Sequence, residues 1–186
     1  MAGPKGLEQV RVMIRAFVTL VIALGICQSA RADADLRACF EHAAQRRHIS
    51  VKLLLAIGHV ESRYRPGAVN TTTGAMGVMQ IMPFHLNWLK RYGINRDDLL
   101  DGCTNINVGT FLLSDFIRMY GNTWRAVGAY GAGIAPGNEK ARLEYARLVQ
   151  QQYERLMNPE SEPVFPRAAR IETQARPTRP TMVVDK

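Results

Sequence analysis

The segment VKLLLAIGHVES, residues 51–62, constrains the fold more than any other part of the chain. Its residues Leu54, Ile57 and Gly58 recur with the spacing of one helical face. Glu61 follows Leu54 by two helical turns and therefore falls on the same face. A carboxylate on such a face either reaches solvent at the end of the helix or is held in an apolar cleft for a chemical purpose.

Most of the chain is predicted to form helices joined by short loops, which indicates an all-α class. The predicted helices and their boundary signals are a first helix from a cap at Asp35 to about Arg47, a helix from a cap at Ser50 that carries Glu61, FHLNWLKRY between Pro83 and Gly93, NINVGTFLLSDFIRMY ended by Gly121, WRAVGAY capped by Thr123, and EKARLEYARLVQQQYERL opened by Asn138. No segment strongly favours a strand, and the only candidate hairpin covers residues 75–81.

The N-terminal residues 1–32 have the pattern of a secretory signal peptide. Basic residues at Lys5, Arg11 and Arg15 precede the apolar run AFVTLVIALGIC, and the small-x-small sequence ARA ends at Ala32. The apolar run is too short to span a bilayer comfortably. We therefore expect cleavage after Ala32 and export to the periplasm, with an uncleaved membrane anchor as the alternative.

The cysteine count agrees with export. Removal of the signal leaves Cys39 and Cys103, an even number in an oxidising compartment. We expect one disulfide that ties the first mature helix to the middle of the domain. Two free buried thiols are the alternative.

The remaining chain divides into a domain and a tail. Residues 158–186 are rich in Pro, Arg, Thr and Glu without apolar periodicity, which predicts a flexible tail. Residues 33–157 are long enough for a single domain with its own core. The full chain has a net charge of +8, and removing the four basic residues and one acidic residue of the signal leaves an excess of five. These bases are scattered and form no nucleic-acid-binding module, although a mild positive charge suits work near an anionic polymer.

The sequence TGAMGVMQIMP follows the helix of Glu61. Gly74 and Gly77 lack side chains, so the backbone of this turn can approach another group closely. Met76, Met79 and Met82 can form an adaptable apolar wall, while filling of the core is the alternative role.

Four short motifs occur in order along the chain: Glu61-Ser62, GVMQIM at residues 77–82, NINVG at 105–109 and AYGAG at 129–133. In this order they resemble the motifs of soluble lytic transglycosylase domains, which are goose-type-lysozyme-like enzymes that cleave peptidoglycan. The resemblance covers roughly residues 38–156. In its small size, export and paired cysteines, the chain is most similar to the transglycosylases that accompany type III and type IV secretion, conjugation and pilus systems.

The resemblance implies an α-helical lysozyme-like fold and a lyase activity without a cofactor. Glu61 would protonate the β-1,4 bond between MurNAc and GlcNAc, the substrate's N-acetyl group would stabilise the cation, and Glu61 would then deprotonate the muramyl 6-hydroxyl. The product would be a 1,6-anhydroMurNAc end. The implied partners are peptidoglycan glycan strands and components of a secretion or pilus apparatus, and the protein would act as a monomer.

The general acid must carry a proton when the bond breaks. A glutamate has a normal pKa of about 4.3, and burial against Ile57, Met79 and Met82 would raise that pKa. We expect Glu61→Gln to abolish cleavage and to leave the thermal melt nearly unchanged. The sequence between Glu61 and Asp97 contains no other acidic residue.

A second carboxylate could still come from later in the chain. Asp97, Asp98 and Asp101 are the acidic residues that could fold back to the site. Ordinary glycosidases use a second carboxylate as nucleophile or base, so a lysozyme-type hydrolase remains an alternative to the transglycosylase.

The resemblance implies roles for the other motif residues. Gln80 and Tyr130 would bind the sugar or orient Glu61, and Met79 and Met82 would form a platform for a sugar face. Ser62 would position the acid or the loop, unless it is a helix-end hydroxyl without consequence.

Three further motif positions have structural roles or depart from the family. Asn105 could cap its helix, and Gly109 would permit tight helix packing. Gly131 stands where the family commonly has Asn, which puts one supporting hydrogen bond in doubt.

Other classes of function fit the sequence less well. The four histidines have no metal-binding spacing such as H-E-x-x-H, and no Pro-Cys-x-x-Cys pair accompanies His59 and Glu61 to complete a deaminase motif. We therefore expect no metal site. A non-catalytic peptidoglycan-binding assembly factor with this fold is a further alternative.

Overall fold

The computed structural model describes residues 36–158, 160–161 and 163–166. The helices are α1 over residues 36–47, α2 (Val51–Ser62), α3 (Leu86–Leu89), α4 (Gly102–Tyr120), α5 (Trp124–Ala132) and α6 (Glu139–Met157). Four short 3-10 segments lie between them, at Pro83–His85, Lys90–Tyr92, Asp97–Leu100 and Pro136–Asn138. The described residues form no β-strand, so the predicted all-α class is confirmed.

Helix α2 runs through the centre of the core because its sequence is apolar on nearly every side. Six consecutive residues, 53–58, are buried. Helix α6 packs against both α2 and α5, and α5 also packs against α4. Gly58 admits the Phe40 ring of α1, since a Cβ on Gly58 would lie 2.7 Å from that ring. Glu61 in the last turn of α2 is thereby carried to the edge of the core.

The helix boundaries follow the sequence closely, but only some of the caps form. Thr123 caps α5 as predicted, with its side chain accepting from the Ala126 N–H. Ser50 precedes α2, yet it accepts through its backbone carbonyl rather than its side chain. Asn138 precedes α6 and uses its side-chain amide to donate to the Ala132 carbonyl, so it joins α6 to the end of α5.

The predicted helix between Pro83 and Gly93 is broken into a 3-10 turn, one turn of α3 and a second 3-10 turn. Gly93 ends it with a φ of 70°, as predicted from its position. The candidate hairpin over residues 75–81 reduces to two isolated bridges, Val69 with Met76 and Met76 with Ile81. The chain turns at Gly77, with a φ of 78°, before a ladder can extend.

A disulfide joins Cys39 in α1 to Cys103 in α4, as predicted. The two Cα atoms lie 5.2 Å apart, a normal separation for a disulfide. The bridge closes a long loop that contains α2 and residues 73–83, TGAMGVMQIMP, which we call the methionine segment.

The packed region reaches past Met157, where the sequence predicts the domain to end. Phe165 is only 9% exposed, and its ring centroid lies 4.7 Å from that of Tyr64. Burial of this one aromatic ring holds residues 163–166 against the domain. The predicted signal peptide at 1–32, the cap at Asp35 and the rest of the predicted tail at 167–186 lie outside the described residues.

Within the part of the chain that the structure describes, no helix combines the length and apolarity needed to cross a membrane.

Candidate active site

Glu61 is held at the C-terminal end of α2, where its side chain is partly buried. The hydroxyl of Tyr145 in α6 donates to Glu61 Oε1 at 2.5 Å. Burial raises the pKa of Glu61 from 4.5 to about 7, and the hydrogen bond from Tyr145 opposes this shift because it stabilises the ionised form. The direction agrees with the expectation from the sequence, and the carboxyl group carries a proton for much of the time near neutral pH.

Two of the three acidic candidates for a second catalytic group, Asp98 and Asp101, bond to backbone N–H groups elsewhere in the domain. Asp101 accepts from the Thr104 N–H and caps α4. Asp98 is buried and accepts from the Asn95 N–H. In the described part of the chain, no charged side chain contributes to the pKa shift of Glu61. Asp97 is exposed, and its N–H donates to the Asn95 side chain.

Tyr145 is a site residue that the motifs did not reveal. It lies 84 positions after Glu61, in a helix outside the four motifs. The signal that could have identified it is its place on the buried stripe of α6, four residues before Val149. A tyrosine on such a stripe must find a partner for its hydroxyl, and here the partner is Glu61.

Tyr130 of α5 serves the loop rather than the acid directly. Its hydroxyl donates to the Met79 carbonyl at 2.7 Å. Burial raises the pKa of Tyr130, and the nearby charge of Glu61 raises it further, which places the two groups within electrostatic reach. The bond fixes the methionine segment against α5 close to the carboxyl group.

Asn105 holds the same segment from the other side. Its side chain accepts from the Met79 N–H at 2.7 Å and donates to the carbonyls of Met76 at 2.9 Å and Leu99 at 2.8 Å. The expectation that Asn105 caps its helix is therefore wrong, because Asp101 fills that position. Asn105 is completely buried, and its amide supplies partners to buried backbone groups of this loop in addition to the loop's own backbone hydrogen bonds.

Gly77 makes this arrangement possible. A Cβ on Gly77 would overlap the Asn105 amide and lie 2.5 Å from the Leu99 carbonyl. The close approach that the glycine pattern predicted is thus an approach to Asn105, within the protein.

Ser62 connects the end of α2 to the methionine segment. Its hydroxyl donates to the Val78 carbonyl at 2.8 Å and accepts from the Arg65 N–H at 3.0 Å. Ser62 is 3% exposed, so its contacts are internal. The geometry favours the predicted positioning role over an inconsequential hydroxyl.

Only one of the two methionines predicted to form a platform for a sugar is exposed to solvent. Met79 is completely buried, so it offers no surface to a sugar and the platform role assigned to it is wrong. It packs on Gly109, where an added Cβ would lie 2.6 Å from the Met79 Cβ and 3.0 Å from the Tyr130 hydroxyl. This contact confirms the tight packing expected at Gly109. Met82 is partly exposed, so its role as a platform for a sugar face stays a prediction.

Gln80 combines an unusual backbone with an internally bonded amide. Its φ is 49°, a left-handed conformation that costs a residue with a side chain roughly 1–2 kcal/mol. Its Nε2 donates to the carbonyls of Gly77 at 2.9 Å and Ala68 at 3.3 Å. The nitrogen is thus committed to the loop, and the Oε1 acceptor is the part left for the predicted contact with a sugar hydroxyl.

The space beside Gly131 is occupied by a neighbouring side chain. A Cβ on Gly131 would overlap the ring of Tyr145. The absence of a side chain at position 131 therefore lets Tyr145 lie where its hydroxyl reaches Glu61. Among the described residues there is no group of three or more His, Cys, Asp or Glu side chains that could hold a metal ion.

Comparisons with known proteins agree with this geometry. The family model of the transglycosylase SLT domain matches residues 38–153. The invasion protein IagB of Salmonella typhimurium is 38% identical over 144 residues, which cover 75% of this chain and 87% of that protein. Protein IpgF of Shigella flexneri is 37% identical over 122 residues, which cover 63% of this chain and 80% of that protein.

Two solved structures share the fold. The 70 kDa soluble lytic transglycosylase Slt70 of Escherichia coli aligns with a TM-score of 0.54 and 26% identity, over 65% of this chain and 24% of that one. An inactive mutant of the lytic transglycosylase Slt of Pseudomonas aeruginosa aligns with a TM-score of 0.55 and 24% identity, over 68% of this chain and 25% of that one. The aligned region is about a quarter of the length of both larger chains.

Proposed function

Since the chain belongs to the transglycosylase SLT domain family and is a lytic transglycosylase, we propose that it cleaves the β-1,4 bond between MurNAc and GlcNAc with formation of a 1,6-anhydroMurNAc end. The observation that carries this proposal is the partly buried Glu61, whose pKa is about 7 and whose partner is the neutral hydroxyl of Tyr145. No charged side chain of the described residues contributes to the pKa shift of Glu61, which agrees with chemistry that uses a single acid.

The first half of the reaction uses the protonated form of Glu61. The carboxyl group donates its proton to the glycosidic oxygen, the bond between that oxygen and C1 of MurNAc breaks, and GlcNAc leaves with the new hydroxyl. The N-acetyl group of MurNAc stabilises the positive charge at C1. This group of the substrate replaces the carboxylate nucleophile of a retaining glycosidase.

The second half uses the ionised form of the same residue. The Glu61 carboxylate takes the proton of the 6-hydroxyl, and the 6-oxygen forms a bond to C1. The ring closes, Glu61 regains its proton, and no water is consumed. A pKa of about 7 suits a group that must act first as acid and then as base near neutral pH.

The surrounding hydrogen bonds support both halves. Tyr145 donates to Glu61 and stabilises the carboxylate that forms after the first step. Ser62 and Tyr130 anchor Val78 and Met79, so the methionine segment keeps a fixed position beside the end of α2. Such positioning matters because small displacements of reacting groups lower the rate strongly.

Product analysis tests the chemistry. Purified sacculi digested with the wild-type protein should give anhydro-muropeptides in mass spectra, each lighter by one water than the hydrated product, and Glu61→Gln should give none. Hydrated reducing ends alone would assign a lysozyme-type hydrolase. Binding of the wall without clearing in a zymogram would assign a non-catalytic assembly factor.

We infer further that the protein works in the periplasm, as a monomer, and opens the wall locally for a secretion, conjugation or pilus apparatus. The support is the name of one relative, an invasion protein, together with the small catalytic domain. Deletion of the gene in its own bacterium should reduce assembly of the apparatus, and the wild-type protein should restore assembly where Glu61→Gln does not. Normal assembly in the deletion strain would contradict this role.

A further inference from the structure

A row of aromatic side chains lies just after the methionine segment. This aromatic row consists of Phe84, His85, Trp88 and Tyr92. Its ring centroids are separated by 4.2 Å from Phe84 to His85, 6.0 Å from His85 to Trp88 and 6.1 Å from Trp88 to Tyr92. Trp88 also contacts Phe111 of α4 at 5.6 Å, which anchors the row to the domain. The row is thus a supported surface and not a set of loose side chains.

The two ends of the aromatic row are open to solvent. Phe84 is 60% exposed and Tyr92 is 55% exposed. The side chains beside them, Asn87, Lys90 and Arg91, are exposed and polar. Contiguous exposed apolar groups mark binding surfaces, and a narrow row among polar groups differs from the broad apolar patch of a protein interface or a membrane contact.

His85 places a directed hydrogen-bond donor in the row. The indole N–H of Trp88 donates to Nδ1 of His85 at 3.1 Å. Nδ1 is therefore an acceptor, and the proton of the neutral imidazole must lie on Nε2. The ring of Phe84 is tilted by 40° to this imidazole, so an apolar face and an N–H donor stand side by side.

A short stretch of chain limits the distance between the aromatic row and Glu61. The Val78 carbonyl accepts from Ser62, the neighbour of Glu61, and Phe84 follows Val78 by six residues. Six residues reach at most about 20 Å even when fully extended. A glycan strand held at Glu61 can therefore reach Phe84 within a few sugars.

We propose that the aromatic row is a subsite for the glycan strand away from the cleaved bond. The ring of Phe84 stacks on the apolar C–H face of one pyranose, and the His85 Nε2–H donates to an acetamido carbonyl or hydroxyl of the strand. This inference rests on the proposed function, because it assumes that a glycan is the substrate at Glu61. Its role is to hold the polymer in register, so its loss weakens binding.

The test uses Glu61→Gln as the background, which keeps the glycan intact during a binding measurement. The probe is a peptide-free hexasaccharide prepared from peptidoglycan, with affinity measured by calorimetry. Phe84→Leu should weaken binding by about three- to tenfold, the range expected for loss of ring stacking. Phe84→Tyr keeps the ring and should bind as the background does. Leu143→Ala, at a site that is 64% exposed on α6, is the surface control and should also bind as the background does.

Equal affinity of the Phe84→Leu and Phe84→Tyr proteins would overturn the proposal. So would an unchanged Nε2–H signal of His85 in nitrogen-15 NMR spectra when the hexasaccharide is added. If Phe84→Leu instead weakens binding to anionic lipid vesicles and leaves the hexasaccharide affinity unchanged, the row is a membrane contact and the glycan proposal is wrong. Failure of the proposed function itself is distinguishable, because it is read from the products of sacculus digestion by the wild-type protein, whereas this test reads the affinity of the Glu61→Gln background for an intact hexasaccharide.

Discussion

Replacement of Glu61 by Gln should stabilise the protein in a pH-dependent way. The folded state raises the pKa of this carboxyl group from 4.5 to about 7, so it binds the proton more tightly than the unfolded chain does. Below about pH 4.5 both states are protonated and the burial costs nothing. As the pH rises through 7, the unfolded chain has released its proton while the folded protein must ionise a buried group, so stability is lost. At about 1.4 kcal/mol per pKa unit, the full cost is about 3 kcal/mol.

The side chain of Gln has the same shape and cannot ionise, so the variant avoids this cost. In urea denaturation followed by circular dichroism, wild type and Glu61→Gln should have similar free energies of unfolding at pH 4. At pH 8 the variant should be more stable by up to about 3 kcal/mol. The unchanged melt expected from the sequence therefore applies at acidic pH alone.

Glu144→Gln is the matched control, because Glu144 is exposed on α6 and its replacement should change stability little at either pH. The reasoning would be refuted by a difference between wild type and Glu61→Gln that is the same at both pH values. A wild-type protein that is the more stable of the two at pH 8 would refute it as well.

Three further changes test the supporting contacts. Tyr145→Phe removes the hydrogen bond that lowers the pKa of Glu61. In the pH profile of sacculus cleavage, the limb that this pKa sets should therefore move to higher pH, and the rate at neutral pH should change. A limb that does not move would contradict the assignment of the bond. Asn105→Ala breaks three buried hydrogen bonds and should lower the free energy of unfolding in urea by about 2–4 kcal/mol. A decrease under about 1 kcal/mol would mean that the methionine segment keeps its conformation without Asn105. Replacing both Cys39 and Cys103 by Ala opens a loop with a sequence separation of 64 and should cost about 4 kcal/mol by the chain-entropy model, and equal stability of the variant and the oxidised wild type would contradict this.

The sequence was sufficient where a local pattern determines the outcome. Glu61 could be placed at the C-terminal end of the apolar helix of Leu54 and Ile57, because the length and end of that helix follow from neighbouring residues. The end of a helix at Gly93 and the cap at Thr123 were predictable for the same reason, since each depends on a few neighbouring residues.

The sequence was insufficient where a contact joins distant segments. Tyr145 meets Glu61 across 84 positions, and nothing near either residue indicates the pairing. Asn105 has a helix-start sequence around it, yet its side chain points inward and bonds the Met79 N–H and the Met76 carbonyl. Met79 was assigned to a surface, but the space left by Gly109 takes its side chain into the core. Each of these outcomes depends on packing between elements.

The contact between Gly131 and Tyr145 makes these two positions a linked pair. Introduction of Asn at 131 into this chain would not simply add a supporting hydrogen bond, since the new side chain would push the tyrosine hydroxyl away from the acid. In directed evolution or grafting of this domain, positions 131 and 145 must therefore change together. Libraries that vary one position at a time would miss the sequences in which a larger residue at 131 is accommodated by a smaller one at 145.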